Sequence, residues 1–245
     1  MFAFMSVGGM AAVMAEAIVG GNTLYWLWGL AILLDIIAAV VAGGREGWNL
    51  HPDHFGERHG LFVIIALGES LVVAGGGLAS VEIDLNVIAV GALAIATTCA
   101  LWWSYFGSAK LQLDRALERV SGADLSNMGR DVYSLLHYPM ILGVIGVAVA
   151  IEEIVLHPTE PLDLANRLTL ALGVALFTGG MSMSLWRATG SLPGMRLALA
   201  GLTAMAVVVA GGILPVLSLT IAFGGVAILA ALEHRAHLGS ASLDL

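Results

Sequence analysis

Apolar residues run along this chain in stretches of about twenty, and the polar residues gather between them. A helical stretch of that length crosses the ~30 Å hydrocarbon layer of a bilayer at ~1.5 Å per residue. Eight such stretches are read: 2–20, 23–43, 60–79, 86–107, 132–151, 167–186, 196–211 and 213–231. Gly211-Gly212 and Pro215 mark a tight turn between the last two. The longest polar segment, 108–131, reads "SAKLQLDRALERVSGADLSNMGRD". In it Leu111, Leu113, Ala116, Leu117 and Val120 share one helical face, opposite Asp114, Arg115, Glu118 and Arg119. This predicts a cytoplasmic amphipathic helix on the membrane surface, ending at Gly122. The pattern as a whole predicts an all-α, polytopic transmembrane helix bundle, a single membrane domain over 1–245.

Charge adds orientation. Arg45, Arg58, Lys110, Arg115, Arg119, Arg130, Arg187, Arg196 and Arg235 all fall on one side of the predicted spans, and Arg167 alone falls on the other. The opposite loops carry Glu82, Asp84, Glu152, Glu153, Glu160 and Asp163. The positive-inside rule then puts both termini in the cytoplasm, which requires an even number of spans. Composition agrees with a membrane protein: 59% of the 245 residues are hydrophobic and 11% charged, against about 25% charged in a soluble domain. A net charge of −8 with no basic tract excludes nucleic acid as a partner. The single Cys99 excludes an internal disulfide. Ala15-Glu16-Ala17 resembles a signal cleavage site, but no basic residue precedes the first apolar run, so a retained helix is expected.

Three carboxylates fall inside predicted spans: Glu16, Asp35 and Glu69. A charge in the bilayer core costs at least ~2.5 kcal/mol, so such groups usually face the bundle interior and mark function. Helical rise sets Asp35 and Glu69 at similar depth, roughly 12 and 14 Å from the cytoplasmic edge. No Lys or Arg is expected so deep, so these acids must borrow a proton or a cation. The fifth span opens "RDVYSLLHYPM", with Tyr133 and His137 four apart on one face and Arg130 a turn earlier. Pro139 frees a backbone carbonyl near residue 135 and bends that helix. His137 lies between the cytoplasmic loops and the acid layer, placed to relay protons.

The segment "HPDHFGERH" carries His51, His54 and His59 with Asp53 and Glu57. These side chains suit a divalent metal such as zinc, although their spacing matches no tight metal signature. Asp53 is also placed to cap the helix that follows.

The run "HPDHFGERHGLFVIIALGESLVVAGGGLA" resembles the bacterial low temperature requirement protein A family. "ALWWSYF", "RDVYSLLHYPMILGVI" and "HPTEPLD" are further landmarks in the same order, and the resemblance covers roughly 24–235. It implies a multi-pass protein of the bacterial inner membrane, linked by the family's name to growth in the cold. It makes Glu57, Arg58, His59, Glu69, Ser70, Tyr133, His137 and Pro139 the matching motif positions. Members of the family are usually longer, with an earlier acidic-aromatic helix that this chain lacks, which implies a shortened relative or a C-terminal part.

The leading expectation is a proton- or cation-linked secondary transporter of a small solute. Glu69 and Asp35 would carry the ion and His137 would relay it, supported by Ser70, Tyr133, Arg58, Glu57 and His59. A second reading is a non-catalytic membrane scaffold or sensor in cold adaptation. A third is a metal-dependent enzyme at the lipid interface, using His51, His54 and His59. Only the third calls for a cofactor, the divalent metal. Expected partners are the lipid bilayer, protons or small cations and a small solute, with association into a homo-oligomer left open.

Overall fold

The structure is a computed structural model that describes residues 2–19, 21, 23–42 and 50–241. Its long helices follow the apolar stretches. They are α1 (Phe2–Val19), α2 (Thr23–Ala42), α3 (Pro52–Ala79), α4 (Leu85–Glu118), α5 (Gly122–Leu156), α6 (Leu164–Thr189), α7 (Gly194–Gly211) and α8 (Pro215–Ala241). Seven of them, α2 to α8, are long and apolar enough to cross a membrane. No strand occurs among the described residues.

Local chemistry sets the ends. Pro52 stands at the first position of α3, where its missing N–H costs nothing. His51 is the cap residue there, so Asp53 sits inside the first turn and does not cap the helix. Asp84 and Asp163 cap α4 and α6 by accepting from Val87 N and Asn166 N, each at 2.8 Å. Part of the acidity of those loops is therefore capping. Gly190, at φ 73°, closes α6 in the left-handed conformation.

Two helices run further than their apolar cores. The polar segment 108–131 is not a separate surface helix. Its first part continues α4 through a π-helical stretch, Tyr105–Ala109, to Glu118. Its second part begins α5, which carries another π-helical stretch at Arg130–Leu135 just before Pro139. The irregularity expected from Pro139 thus appears one turn before it.

Helices α3 to α8 close a ring in which α3 packs on α4 and α5, α5 on α6, α6 on α7, α7 on α8, and α8 on α4. Helix α6 is drawn furthest in and touches α4, α5, α7 and α8. The α5–α6 contact brings backbones together. A Cβ on Gly143 would lie 2.5 Å from Phe177 N, and one on Gly173 would lie 2.8 Å from Val147 N. Helices α1 and α2 pair with each other outside the ring. Helix α2 meets it at the irregular turn of α5, where Arg130 Nη1 donates to the Val40 carbonyl at 3.4 Å. At the opposite end Arg167 lies across the α7–α8 turn. A Cβ on Gly211 would fall 2.7 Å from its Cγ, which accounts for the glycine pair there.

Candidate functional site

The two acids expected to carry an ion do not form a layer inside the bundle. The buried face of α3 runs Gly56, Gly60, Val63, Leu67, Ser70, Ala74 and Gly77. Glu69 precedes Ser70 by one residue, about 100° around the helix, and is exposed on the outside of the ring. Ser70 is the inward member of the pair. Its hydroxyl donates to Leu67 O at 2.6 Å and meets Thr98 Oγ1 of α4 at 3.3 Å, which is helix–helix adhesion. Asp35 is exposed as well. It lies beside α1, where a Cβ on Gly9 would stand 3.5 Å from Asp35 Oδ1. Among the described residues helix α2 does not pack along α3, so no packed seam links Asp35 to Glu69. The side chain of Glu16 and residue Arg45 lie outside the described residues.

His137 behaves differently. Its ring is buried, 2% exposed, at the start of the regular part of α5. Nδ1 lies 2.8 Å from the Val132 carbonyl, which can only accept, so the neutral ring carries its proton there. Nε2 is then an acceptor, and the Tyr105 hydroxyl, 2.9 Å away on α4, donates to it. Tyr105 stands at the first residue of the α4 π-helical stretch, and Tyr133 lies within that of α5. Such stretches recur at functional sites because the extra residue re-aims side chains. Tyr133 stacks on His137 with centroids 5.1 Å apart and planes 24° apart. His59 of α3 closes the group, 5.6 Å from the His137 ring and 5.4 Å from Tyr133. Its Nδ1 donates to Phe55 O at 2.9 Å.

The acid of this cluster is Asp114, which the amphipathic pattern had turned toward solvent. Tyr133 donates to Asp114 Oδ1 and Lys110 to Oδ2, both at 2.5 Å. Space for that carboxylate comes from α3. A Cβ on Gly56 would sit 2.5 Å from Asp114 Oδ1, and one on Gly60 would sit 2.9 Å from Lys110 Cε. The two glycines of "HFGERHG" thus admit an acid–lysine pair against the helix backbone. Glu57 and Arg58, between them in sequence, are exposed on the outer face.

A second polar group adjoins the first through α4. Ser104 precedes Tyr105, and its Oγ accepts from Arg196 Nη2 at 2.7 Å. Arg196, read from sequence as a loop cation, is 1% exposed and the largest fully buried side chain. Its Nη1 lies 3.2 Å from Glu233 Oε1 of α8, whose carboxylate Ser108 also reaches. Arg196 Nε and Nη1, Glu233 Oε2 and His234 Nδ1 find no hydrogen-bond partner among the described residues. The half-buried acids of this ring, Asp114 and Glu233, come with their own cations, Lys110 and Arg196.

Buried and half-buried polar side chains therefore cross one end of the ring from His59 on α3, through Tyr133 and His137 on α5 and Ser104 to Ser108 on α4, to Arg196 on α7 and Glu233 on α8. The chain matches a family model over residues 1–232, described as bacterial low temperature requirement A protein. The chain belongs to the low temperature requirement A family. An uncharacterized protein of Rhizobium meliloti, RA0937, is 27% identical to this family member over 142 residues, 55% of this chain and 34% of that protein. The alignment thus spans about a third of that relative's length. No solved structure matches the chain significantly. With seven long apolar helices among the described residues, this family member is a multi-pass membrane protein.

The histidines of the family motif do not converge. His51 and His54 are exposed with ring centroids 5.7 Å apart, while His59 turns inward to Tyr133 and His137. Among the described residues no three His, Cys, Asp or Glu side chains are grouped to hold a metal ion. Of the residues singled out by sequence, the fold brings together His59, Tyr133 and His137. It leaves Asp35, Glu57, Arg58 and Glu69 on outer surfaces. Sequence reading missed Tyr105, Lys110, Asp114, Arg196 and Glu233. The usable signals were the glycines four apart in α3 and Tyr105 within the "ALWWSYF" landmark.

Proposed function

We propose that this protein is a proton-linked secondary transporter of a small solute, with His137 as its central proton-handling group. It would span the bacterial inner membrane eight times with both termini in the cytoplasm, the polar belt lying toward that side. The observation that supports this reading is a buried imidazole held between helices at two π-helical turns, within the polar belt that crosses one end of the ring. Buried ionisable groups within membrane helices are costly and mark ion pathways by default. His137 can change its charge with no heavy atom moving. When it takes a proton at Nε2, the Tyr105 hydroxyl turns, and the new N–H donates to the Tyr105 oxygen while Nδ1 keeps its bond to Val132 O. Half-buried His59 is the entry point, one ring away. The Asp114–Lys110 pair, tied to Tyr133, is the charge that responds when His137 becomes cationic. The orientation is supported by Lys110, Arg115, Arg119, Arg130, Arg187 and Arg235 clustering at the belt end of the helices, with Arg167 the one basic residue at the other among the described residues.

The test is proton movement in liposomes holding the purified protein and a trapped pH-sensitive dye, under an imposed pH gradient. The wild type should dissipate the gradient faster than empty liposomes, His137→Gln should lose most of that rate, and Glu69→Gln should keep it. Equal rates in wild-type and empty liposomes would sink the transport reading and favour a scaffold. A full rate in His137→Gln would move the site elsewhere.

A further inference from the structure

We infer that the pocket between the end of α4 and the end of α6 binds the phosphate of an anionic lipid headgroup. The pocket is an open recess of about 350 Å³, lined by Gln112, Arg115, Ala116, Arg119, Val120, Met128, Ala188 and Thr189. Its free polar groups are mostly donors. Arg115 in the last turn of α4 and Arg119, the residue that caps it, are both exposed, and neither makes an ion pair among the described residues. The Thr189 hydroxyl is committed to Leu185 O at 2.8 Å. Nearby Arg187 is committed to Asp131 at 2.9 Å, as is Arg130 at 2.6 Å. Glu118 lies between the two arginines in sequence and is not part of the lining.

Two arginines lining one opening, with a neutral amide beside them, match an anion with several acceptor oxygens; phosphate is the common one. The rest of the wall is apolar: Ala116, Val120, Met128 and Ala188. A free inorganic ion gains nothing from such a wall, whereas the glycerol and first methylenes of a lipid do. Position agrees. Trp186, 46% exposed, lies one turn before Thr189 on α6, at the level where tryptophans mark the membrane–water boundary. The pocket therefore opens just outside that boundary, at headgroup height. Basic pockets between membrane helices are a known form of anionic headgroup site. Arginines near a helix C-terminus also answer the helix dipole, but that explains neither the recess nor its apolar wall. The inference rests on this pocket alone and is independent of proton handling at His137.

The experiment titrates the full chain, purified in a zwitterionic detergent, with short-chain phosphatidylglycerol while following tryptophan fluorescence and thermal midpoint. Each arginine at a membrane surface contributes about fivefold in affinity, so Arg115→Gln with Arg119→Gln should weaken binding about thirtyfold. Replacing both by Lys should keep most of it, and Arg58→Gln should change nothing. If the double Gln variant fails to fold, the single variants, each about fivefold weaker, decide the same question. Phosphatidylcholine of the same chain length binding as tightly would overturn the inference, as would undiminished binding by the Gln variants. Inorganic phosphate alone raising the midpoint as much as the lipid would overturn it too, because the site would then be one for a free anion.

Discussion

Replacing Gly56 by Ala tests whether the Asp114 carboxylate is held against α3 as the site requires. Within a helix this exchange normally stabilises by about 0.5–1 kcal/mol, because glycine loses more backbone freedom on folding. At Gly56 the sign should reverse. The new methyl would sit 2.5 Å from Asp114 Oδ1, 3.4 Å from Asp114 Cγ and 3.3 Å from Tyr133 Oη, so the carboxylate must retreat by about an ångström. An unrestrained aspartate would do so at little cost, but this one is held at 2.5 Å by Tyr133 on one oxygen and by Lys110 on the other. Moving it gives up a hydrogen bond to a charged group, about 1.5–3 kcal/mol. After subtracting the propensity gain, a net destabilisation of about 1–2 kcal/mol remains, or a midpoint lower by about 2–8 °C for a chain of this size. The assay is thermal unfolding of purified protein in detergent. Gly75→Ala and Gly76→Ala serve as controls, since nothing lies within 4 Å of a Cβ at either position. Asp114→Ala should then restore much of the loss when combined with Gly56→Ala, because the methyl has nothing left to strike. If Gly56→Ala melts no lower than the controls, or the double variant merely sums the two losses, the packed carboxylate is not as described.

Gly143→Ala should be more damaging than Gly56→Ala, since its methyl meets backbone, Phe177 N at 2.5 Å and Gly173 O at 2.6 Å; loss of folded yield by size-exclusion chromatography measures it. Glu233→Leu alone should cost about 3–5 kcal/mol by leaving Arg196 buried without its counter-charge, whereas Arg196→Met with Glu233→Leu should recover much of that in a denaturant titration. Tyr105→Phe removes the donor to His137 Nε2 and should cost about 1–3 kcal/mol, with His137→Phe adding little on top, read from the same melts as a double-mutant cycle. Asp35→Asn and Glu69→Gln should leave the midpoint within about 0.5 kcal/mol of wild type, since both carboxylates are exposed on outer faces; a large drop at either would contradict their placement.

Much of the architecture was legible along the chain. Apolar runs of the right length must form helices if they enter a membrane, because every backbone N–H and C=O then needs a partner within its own segment. Glycine and proline marked the turn before Pro215, and the proline in "LLHYPM" announced an irregular helix. The spacing of Tyr133 and His137, and the recurrence of His59 in a family motif, pointed to residues that do meet. Helical periodicity could not say which stripe of an apolar helix faces its neighbours, because a bilayer rewards apolar side chains on every side. Glu69 and Ser70 illustrate this: one residue's step of about 100° decides between bundle exterior and helix contact, and only the packing of α3 on α4 and α5 resolved it. The same packing turned Asp114 from a solvent-facing acid into the partner of Tyr133, and drew Arg196 from a supposed loop into the seam with Glu233. Helix formation depends on neighbours a few residues apart, so the chain alone determined it. Where the charges lie depends on contacts between residues as far apart as Tyr105 and His137 or Arg196 and Glu233, and those exist only once the ring has closed.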